Sequence, residues 1–308
     1  MMPILSADHR PRVLLFIDVR GWAFDQIAQA IQSHLGDQFR FTILSRDTNP
    51  IIREDQYDIV HVFFETDDYY KKFLSGRAKV IRSVYSHYWE STYGMGPMDL
   101  YHRYLSDANA IVVPSVKLLH RLSDLPPPVH LFAEGVDTGF FRQLRNRMGP
   151  LVVGWAGRAS PIKRLEMLQD ACQDLCELRI AGGSLNTGEM VEFFNDIDVI
   201  ACTSIHEGCP RPLIEGMACG NFPVSFDVGI ASEVITHTVN GLLLQHETVN
   251  AVRGTLTWCR DHLDIVRGAH RLNIERIGSL RDWKATTAHL GDVYRSVLNV
   301  APLGDIAC

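Results

Sequence analysis

The chain of 308 residues is 46% hydrophobic and 21% charged, as an ordinary globular protein is, and its length suggests two domains of ~100–200 residues each. A net charge of −6 lacks the basic excess of a general nucleic-acid binder, so no nucleic-acid partner is expected. No run approaches the ~18 uninterrupted apolar residues of a membrane span, and the opening MMPILSADHRPR lacks the apolar core of a signal peptide.

Two smaller features bear on partners. Lys71, Lys72, Arg77, Lys79 and Arg82 form a short basic cluster, read here as a solvated face beside a turn. The seven cysteines are an odd number, and Cys172 and Cys176 have no matching Cys/His pair to complete a zinc site. All seven read as reduced thiols of a cytoplasmic protein, with no metal expected.

In chain order, RVLLFIDV (residues 12–19) is an apolar run that ends at Asp18 and is followed by a turn at Gly21. Ile27, Ile31 and Leu35 then recur at helical spacing up to Gly36. FRFTILS, YDIVHVFF, KVIRSVYS, ANAIVVPS and PVHLFAEGVD follow as strand-like runs. The pattern restarts with LVVGWAGR, a helix in PIKRLEMLQDACQDL, then ELRIAGG, DIDVIACTS, a helix in PLIEGMACG, and FPVSFDVG. Apolar strands separated by helices imply parallel sheets covered on both faces.

The chain therefore reads as two α/β units in series. An N-terminal domain covers residues 1–145 and a C-terminal domain residues 146–282, joined through the polar, basic stretch RQLRNRMGP (residues 142–150). Open α/β sheets bind ligands at the carboxyl ends of their strands, so two such sheets would face each other across a cleft. The dinucleotide fingerprint is missing, because GWAGR does not fit G-x-G-x-x-G, and this weakens a dehydrogenase reading.

Two stretches carry chemistry. In GRASPIKR, Gly157 ends a strand, Ser160 is a candidate N-cap, and Pro161 fits a first helical position. Lys163 then falls in a first helical turn, where the helix dipole disfavours a cation unless an anion sits beside it. Arg158 adds a planar fork to the Lys163 point charge, a combination suited to a diphosphate. In HEGCPRPLIEGMACG, Glu207 follows a strand, Pro210 and Pro212 stiffen the loop, and Pro212 can start a helix. Glu215 is placed on that helix's first turn, where a carboxylate is favoured. Ionised carboxylates only accept hydrogen bonds and suit vicinal hydroxyls.

GWAGRASPIKR together with HEGCPRPLIEGMACGNFPV resembles the donor-binding half of the retaining glycosyltransferases of family 4, the "glycosyl transferases group 1", which have the GT-B fold. DVGIASEVITHTVNGLLL continues that pattern, and the resemblance is strongest over residues 151–245. AIVVPS with EGVDTGFF resembles the end of the family's N-terminal domain. DWKATTAHLGDVYRSVL resembles its closing helix, residues 283–300, which crosses back to that domain.

The resemblance implies an α/β, GT-B protein: two Rossmann-like domains facing across an inter-domain cleft. It implies that Arg158 and Lys163, with Gly157 beside them, neutralise a donor diphosphate, and that Glu207 holds hydroxyls of the transferred sugar. The backbone from Gly208 through Cys209, Pro210 and Arg211, and on to Pro212 and Leu213, would approach the donor, and Glu215 would bind the ribose. His87 falls where the family has a histidine near the sugar and the acceptor; a histidine at a loop or core edge is an equal reading. Asp18, Gly21, Trp22 and Glu90 are the acceptor-side candidates.

By the same resemblance the protein is a metal-independent hexosyltransferase, with no cofactor beyond a nucleoside-diphosphate sugar as co-substrate. Its acceptor would be a glycan or lipid-linked saccharide in surface polysaccharide or glycoconjugate synthesis. Its place would be the cytoplasm, with weak peripheral contact at the inner membrane face. The alternatives are a catalytically inactive sugar-nucleotide-binding subunit and a GT-B sugar-nucleotide epimerase. Two departures from the family stand out. RGWAF has one glycine where the family has two, and the stretch between ELRIAGG and DIDVIACTS is too short for the family's extra strand and helix, leaving UDP against GDP open.

Overall fold

The computed structural model describes residues 9–183 and 185–299. The first unit comprises β1 (Arg12–Ile17), α1 (Ala23–Leu35), β2 (Arg40–Ser45), β3 (Ile59–Val62), β4 (Lys79–Ser83), α2 (Tyr88–Tyr93), α3 (Pro97–Leu100), β5 (Ala110–Val113), α4 (Val116–Leu122) and β6 (Val129–Leu131). The second begins with β7 (Val152–Ala156), α5 (Leu165–Cys172), β8 (Glu177–Ala181), α6 (Thr187–Asn195), β9 (Val199–Cys202), α7 (Arg211–Ala218) and β10 (Phe222–Phe226). It ends with α8 (Ala231–Val234), β11 (Leu242–Leu244), α9 (Val249–Asp261), α10 (Leu263–Gly268), α11 (His270–Leu280) and α12 (Trp283–Leu298).

Both sheets are parallel throughout. Their strand orders are β2-β1-β3-β4-β5-β6 and β11-β10-β9-β7-β8. Each sheet runs outward in both directions from its first strand, so each has a switch point: between β1 and β3 in one, between β7 and β9 in the other. Loops leaving such adjacent strands part to opposite faces and open a crevice. The central strands are buried on both faces, in line with their near-continuous apolar sequences; Val13 to Ile17 are wholly buried.

The strands are shorter than the apolar runs that announce them. Residues 18–19, 157–158 and 203–204 lie past the ends of their ladders and form loops at the carboxyl edges. β11, in GLLL, is too short to have stood out by pattern. Between β8 and β9 a helix is present after all: α6 starts at Asn186, whose Oδ1 accepts from Glu189 N at 3.0 Å while Glu189 Oε2 accepts from Asn186 N at 2.8 Å. No strand accompanies it among the described residues.

Two expectations change. The basic cluster is not one solvated face: Arg82 is wholly buried and donates to the Phe64 and Glu65 carbonyls at 2.9 Å, and Lys71 pairs with Asp68 at 2.9 Å. The 142–150 join is not a free linker either. Leu144 N donates to Asn195 Oδ1 at 2.6 Å, Arg145 pairs with Glu192 at 2.8 Å, and Arg147 pairs with Asp198 at 3.0 Å. Its cations dock on α6 and on the head of β9. The six described cysteines are free thiols, and Cys308 lies outside the described residues, as do residues 1–8 and Val300.

The closing helix crosses back to the first unit. On α12, the Tyr294 hydroxyl sits 2.7 Å from His61 Nδ1, and the other ring nitrogen of His61 is 2.8 Å from Ser83 Oγ. His61 is wholly buried, which pushes its pKa down to about 3 and keeps the ring neutral. Arg295 adds a bond to Gln38 Oε1 at 2.6 Å. Where α12 begins, Val136 N donates to Arg281 O at 2.9 Å, and Gly135 lies against Trp283. A Cβ at Gly135 would overlap the Trp283 ring and backbone. Gly135→Ala is therefore expected to destabilise by ~1–3 kcal/mol through overpacking; an unchanged urea midpoint would show that Trp283 gives way freely.

Candidate active site between the two sheets

The two switch points face each other, and Arg158 spans them. β7 runs into Gly157, whose φ of +147° suits glycine and whose N–H donates to Ala181 O at 2.9 Å. The next residue, Arg158, lays its guanidinium 4.6 Å from the ring centre of Trp22 in the first unit. Trp22 follows Gly21, which turns the chain at φ +77°. Asp18, at the end of β1, accepts from Val19 N at 2.7 Å; burial raises its pKa, partly offset by backbone hydrogen bonds and by nearby Arg158.

Lys163 is not in a first helical turn. Pro161–Lys163 form one 3-10 turn, Ser160 is extended without capping, and Arg164 at φ +48° separates the turn from α5. The turn is stitched instead to the carboxyl end of β9. Thr203 Oγ1 donates to Lys163 O at 2.9 Å, and Ile205 N donates to Ile162 O at 2.9 Å. This brings Lys163 Nζ onto Glu207 Oε1, which also accepts from Ser204 Oγ at 2.6 Å.

Beyond Glu207 the chain presses on the first unit. A Cβ at Gly208 would overlap the Tyr85 carbonyl and crowd Pro114. The Cys209 thiol is pushed well up by burial. Pro210 precedes α7, Arg211 is its first residue and Pro212 its second. Glu215 therefore lies beyond the first turn, and Arg211, one turn back, takes the place of the dipole as its partner, with Nη2 2.9 Å from Glu215 Oε1. Leu213 is in the core beneath α7.

A cleft of about 550 Å3 runs between the units. Of the expected residues it is lined by Trp22, Gly157, Arg158, Lys163, Arg211, Pro212 and Glu215. Its far end is walled by Phe141, Gly182, Gly183, Leu185, Thr187 and Met190, which sequence reasoning did not single out. Glu207 opens instead onto a smaller cavity of about 260 Å3, shared with His87, Glu90, Lys117, His206 and Asp227. The Lys163–Glu207 ion pair is where the two cavities meet. His87 Nδ1 is 3.4 Å from Glu90 Oε2, and Glu90 is held low in pKa chiefly by Arg121, 2.6 Å away. Asp18, Gly21, Gly208, Cys209, Pro210 and Leu213 line neither cavity.

Two acids that sequence reasoning passed over are buried at the junction. Glu65 follows β3, where a carboxylate just past a central strand was the available signal; Glu134 follows β6, an edge strand that offered none. Burial pushes each up to about 7. A raised carboxyl pKa means the folded protein holds a proton that the unfolded chain releases above its ordinary 4.5. Stability from Glu65 is then fullest below that value and falls as pH rises to about 7, by about 3 kcal/mol at most. Glu65→Gln should lose ~1–3 kcal/mol less than the wild type between about pH 5 and about pH 8 in urea titrations. Equal losses in the two proteins would rule Glu65 out as the titrating group.

Residues 179–259 match the family model described as "Glycosyl transferases group 1". No curated protein matches the sequence significantly. Among solved structures, sucrose-phosphate synthase from Thermosynechococcus elongatus is 14% identical with a TM-score of 0.78, over 94% of this chain and 100% of that one. HepE from Anabaena, in complex with UDP and glucose, is 13% identical with a TM-score of 0.69, over 93% and 100%. A TarM variant from S. aureus, in complex with fondaparinux, α-GlcNAc-glycerol and UDP, is 14% identical with a TM-score of 0.65, over 77% and 55%. The architecture is GT-B, and the match to the group 1 glycosyltransferase model lies within the second unit.

Proposed function

We propose that this GT-B protein transfers a sugar, with retention of configuration and without a metal, from a nucleoside-diphosphate sugar to a hydroxyl acceptor. The observation that carries the reading is the disposition of charge along one cleft. Arg158 and Lys163 stand at the switch point of the second sheet, Glu215 lines the same cleft on α7, and Glu207 is paired to Lys163 at its margin. A diphosphate at the two cations leaves Glu215 for ribose hydroxyls and Glu207 for hydroxyls of the sugar.

In this reading the Lys163–Glu207 pair is the resting partner of each group. An arriving diphosphate draws Lys163 away, and Glu207 is released to the sugar. As the bond from the anomeric carbon to the diphosphate oxygen breaks, negative charge grows on the leaving group beside Arg158 and Lys163, which is where fixed cations accelerate the step. The sugar passes through an oxocarbenium-like state, and the acceptor hydroxyl enters from the same face through the smaller cavity by His87, giving its proton to the departing diphosphate oxygen as the new glycosidic bond forms. UDP is the preferred nucleotide, supported by the UDP named in the HepE and TarM complexes. The proposed acceptor is a glycan or lipid-linked saccharide of surface polysaccharide or glycoconjugate synthesis, on the cytoplasmic side. No helix among the described residues is long and apolar enough to cross a membrane.

Release of UDP from UDP-sugars, with and without saccharide acceptors, tests the reading. Lys163→Ala and Glu207→Ala should each slow turnover by ~10²-fold or more, and turnover should persist in EDTA. Complete loss in EDTA overturns the metal-free step. Interconversion of two free sugar nucleotides would make the protein an epimerase. Thermal stabilisation by nucleotides with no turnover for any pair would make it a binding subunit.

A further inference from the structure

The cleft's far carboxylate does not stand alone. Arg211 Nη2 donates to Glu215 Oε1 at 2.9 Å, and its other terminal nitrogen, Nη1, points at Glu134 Oε2, 3.5 Å away. That separation is too long for a hydrogen bond. Both facing atoms are buried, and neither has another hydrogen-bond partner. The side chains of Arg211, Glu215 and Glu134 are 14%, 10% and 3% exposed. A buried guanidinium with one arm satisfied and one arm short of a buried carboxyl is an incomplete bridge.

We propose that Glu134 is a positioning residue for the nucleotide end of the cleft, sharing the Arg211 fork with Glu215 and so setting how the Glu215 carboxylate is presented. The inference rests on the donor-binding reading above. A guanidinium offers two parallel N–H groups, and its preferred partner is one carboxylate gripped by both. If Arg211 gripped Glu215 in that way, it would occupy the lone pairs that ribose hydroxyls need. An ionised Glu134 draws Nη1 to itself and leaves one Glu215 oxygen open to the cleft. A protonated Glu134 exerts no such pull.

The ionisation of Glu134 is set by everything packed around it. From α7 it faces Arg211 and Glu215, from the loop before α7 Cys209, from the end of β4 Tyr85, and from the end of α11 Arg281. The two arginines favour the carboxylate; burial and Glu215 oppose it. Burial prevails enough to bring the group to about 7, where small changes in pH alter its charge.

The test is the affinity of the full chain for UDP-glucose, whose phosphates keep a constant charge near neutrality, measured by calorimetry from about pH 6 to about pH 8. Wild-type binding should tighten by about 3–10-fold with rising pH, the span of one ordinary hydrogen bond lost or regained. Glu134→Gln should bind weakly and show no such rise, and in turnover it should move KM more than kcat. Arg211→Lys, which offers one point charge in place of a fork, should flatten the profile in the same way and serves if the first variant does not fold. A pH rise that survives in either variant, or a flat wild-type profile with good binding, overturns the inference alone. No binding of UDP-glucose or UDP by the wild type at any pH overturns the donor reading, and this inference falls with it.

Discussion

The site depends on one close approach: the chain leaving β9 lies directly on the backbone of Tyr85. Only glycine leaves room there, because any Cβ at Gly208 would occupy the Tyr85 carbonyl. Gly229, at φ +50°, backs the same loop, and a Cβ on it would meet the Gly208 carbonyl. With these two glycines stacked on Tyr85, the carboxyl edges of the two sheets come within side-chain reach. Arg158 then reaches Trp22, Arg211 approaches Glu134, and Lys117 donates to the Asp227 carbonyl at 2.6 Å. Glu233 accepts from Val116 N at 2.8 Å and from Arg281 at 3.0 Å, closing the same seam from behind.

The two glutamates of the HEGCPRPLIEG stretch differ in how tightly they are held. Glu207 is paired with a lysine that is 29% exposed, and lysine is a flexible point charge. Its ammonium lies on the more open side of the pair, so in the proposed reading an arriving diphosphate can draw it away from Glu207. Glu215 is paired with a nearly buried arginine on its own helix, and breaking a buried pair costs ~3–5 kcal/mol because a charge is left stranded. The first carboxylate is therefore the exchangeable one and the second the fixed one. That division matches a donor whose sugar moves through the reaction while its ribose stays in place.

Much of this was legible in the chain. Buried parallel strands are near-continuously apolar, so the runs from RVLLFIDV to FPVSFDVG announced every strand but β11 in order of appearance. Arg158 and Glu207 stood out because charged residues soon after apolar strands lie at a sheet's carboxyl edge, and Lys163 and Glu215 because each reads by sequence as lying on a first helical turn, which neither occupies. What was not legible depends on contacts distant in sequence. Ser160 looked like a helix cap, yet Thr203 and Ile205 capture the turn and hold Lys163 toward Glu207. The basic join looked free, yet its arginines find carboxylates about fifty positions away on α6 and at the head of β9. Glu134 carried no local mark at all, because its partners are Arg211, some eighty residues on, and Arg281.

The chain passes between the two units twice, and the passages are tied to each other. The outward one runs through Gly135 and Val136, the return one through Arg281, Asp282 and Trp283, with Val136 bridged to Asp282. A Cβ cannot fit between Gly135 and Trp283, so the two segments are packed directly against each other. Glu134 is the residue just before this double crossing, and Arg281 begins the return. The 3.5 Å gap between Glu134 and Arg211 therefore lies beside the double crossing and one hydrogen bond from the carboxylate that lines the cleft.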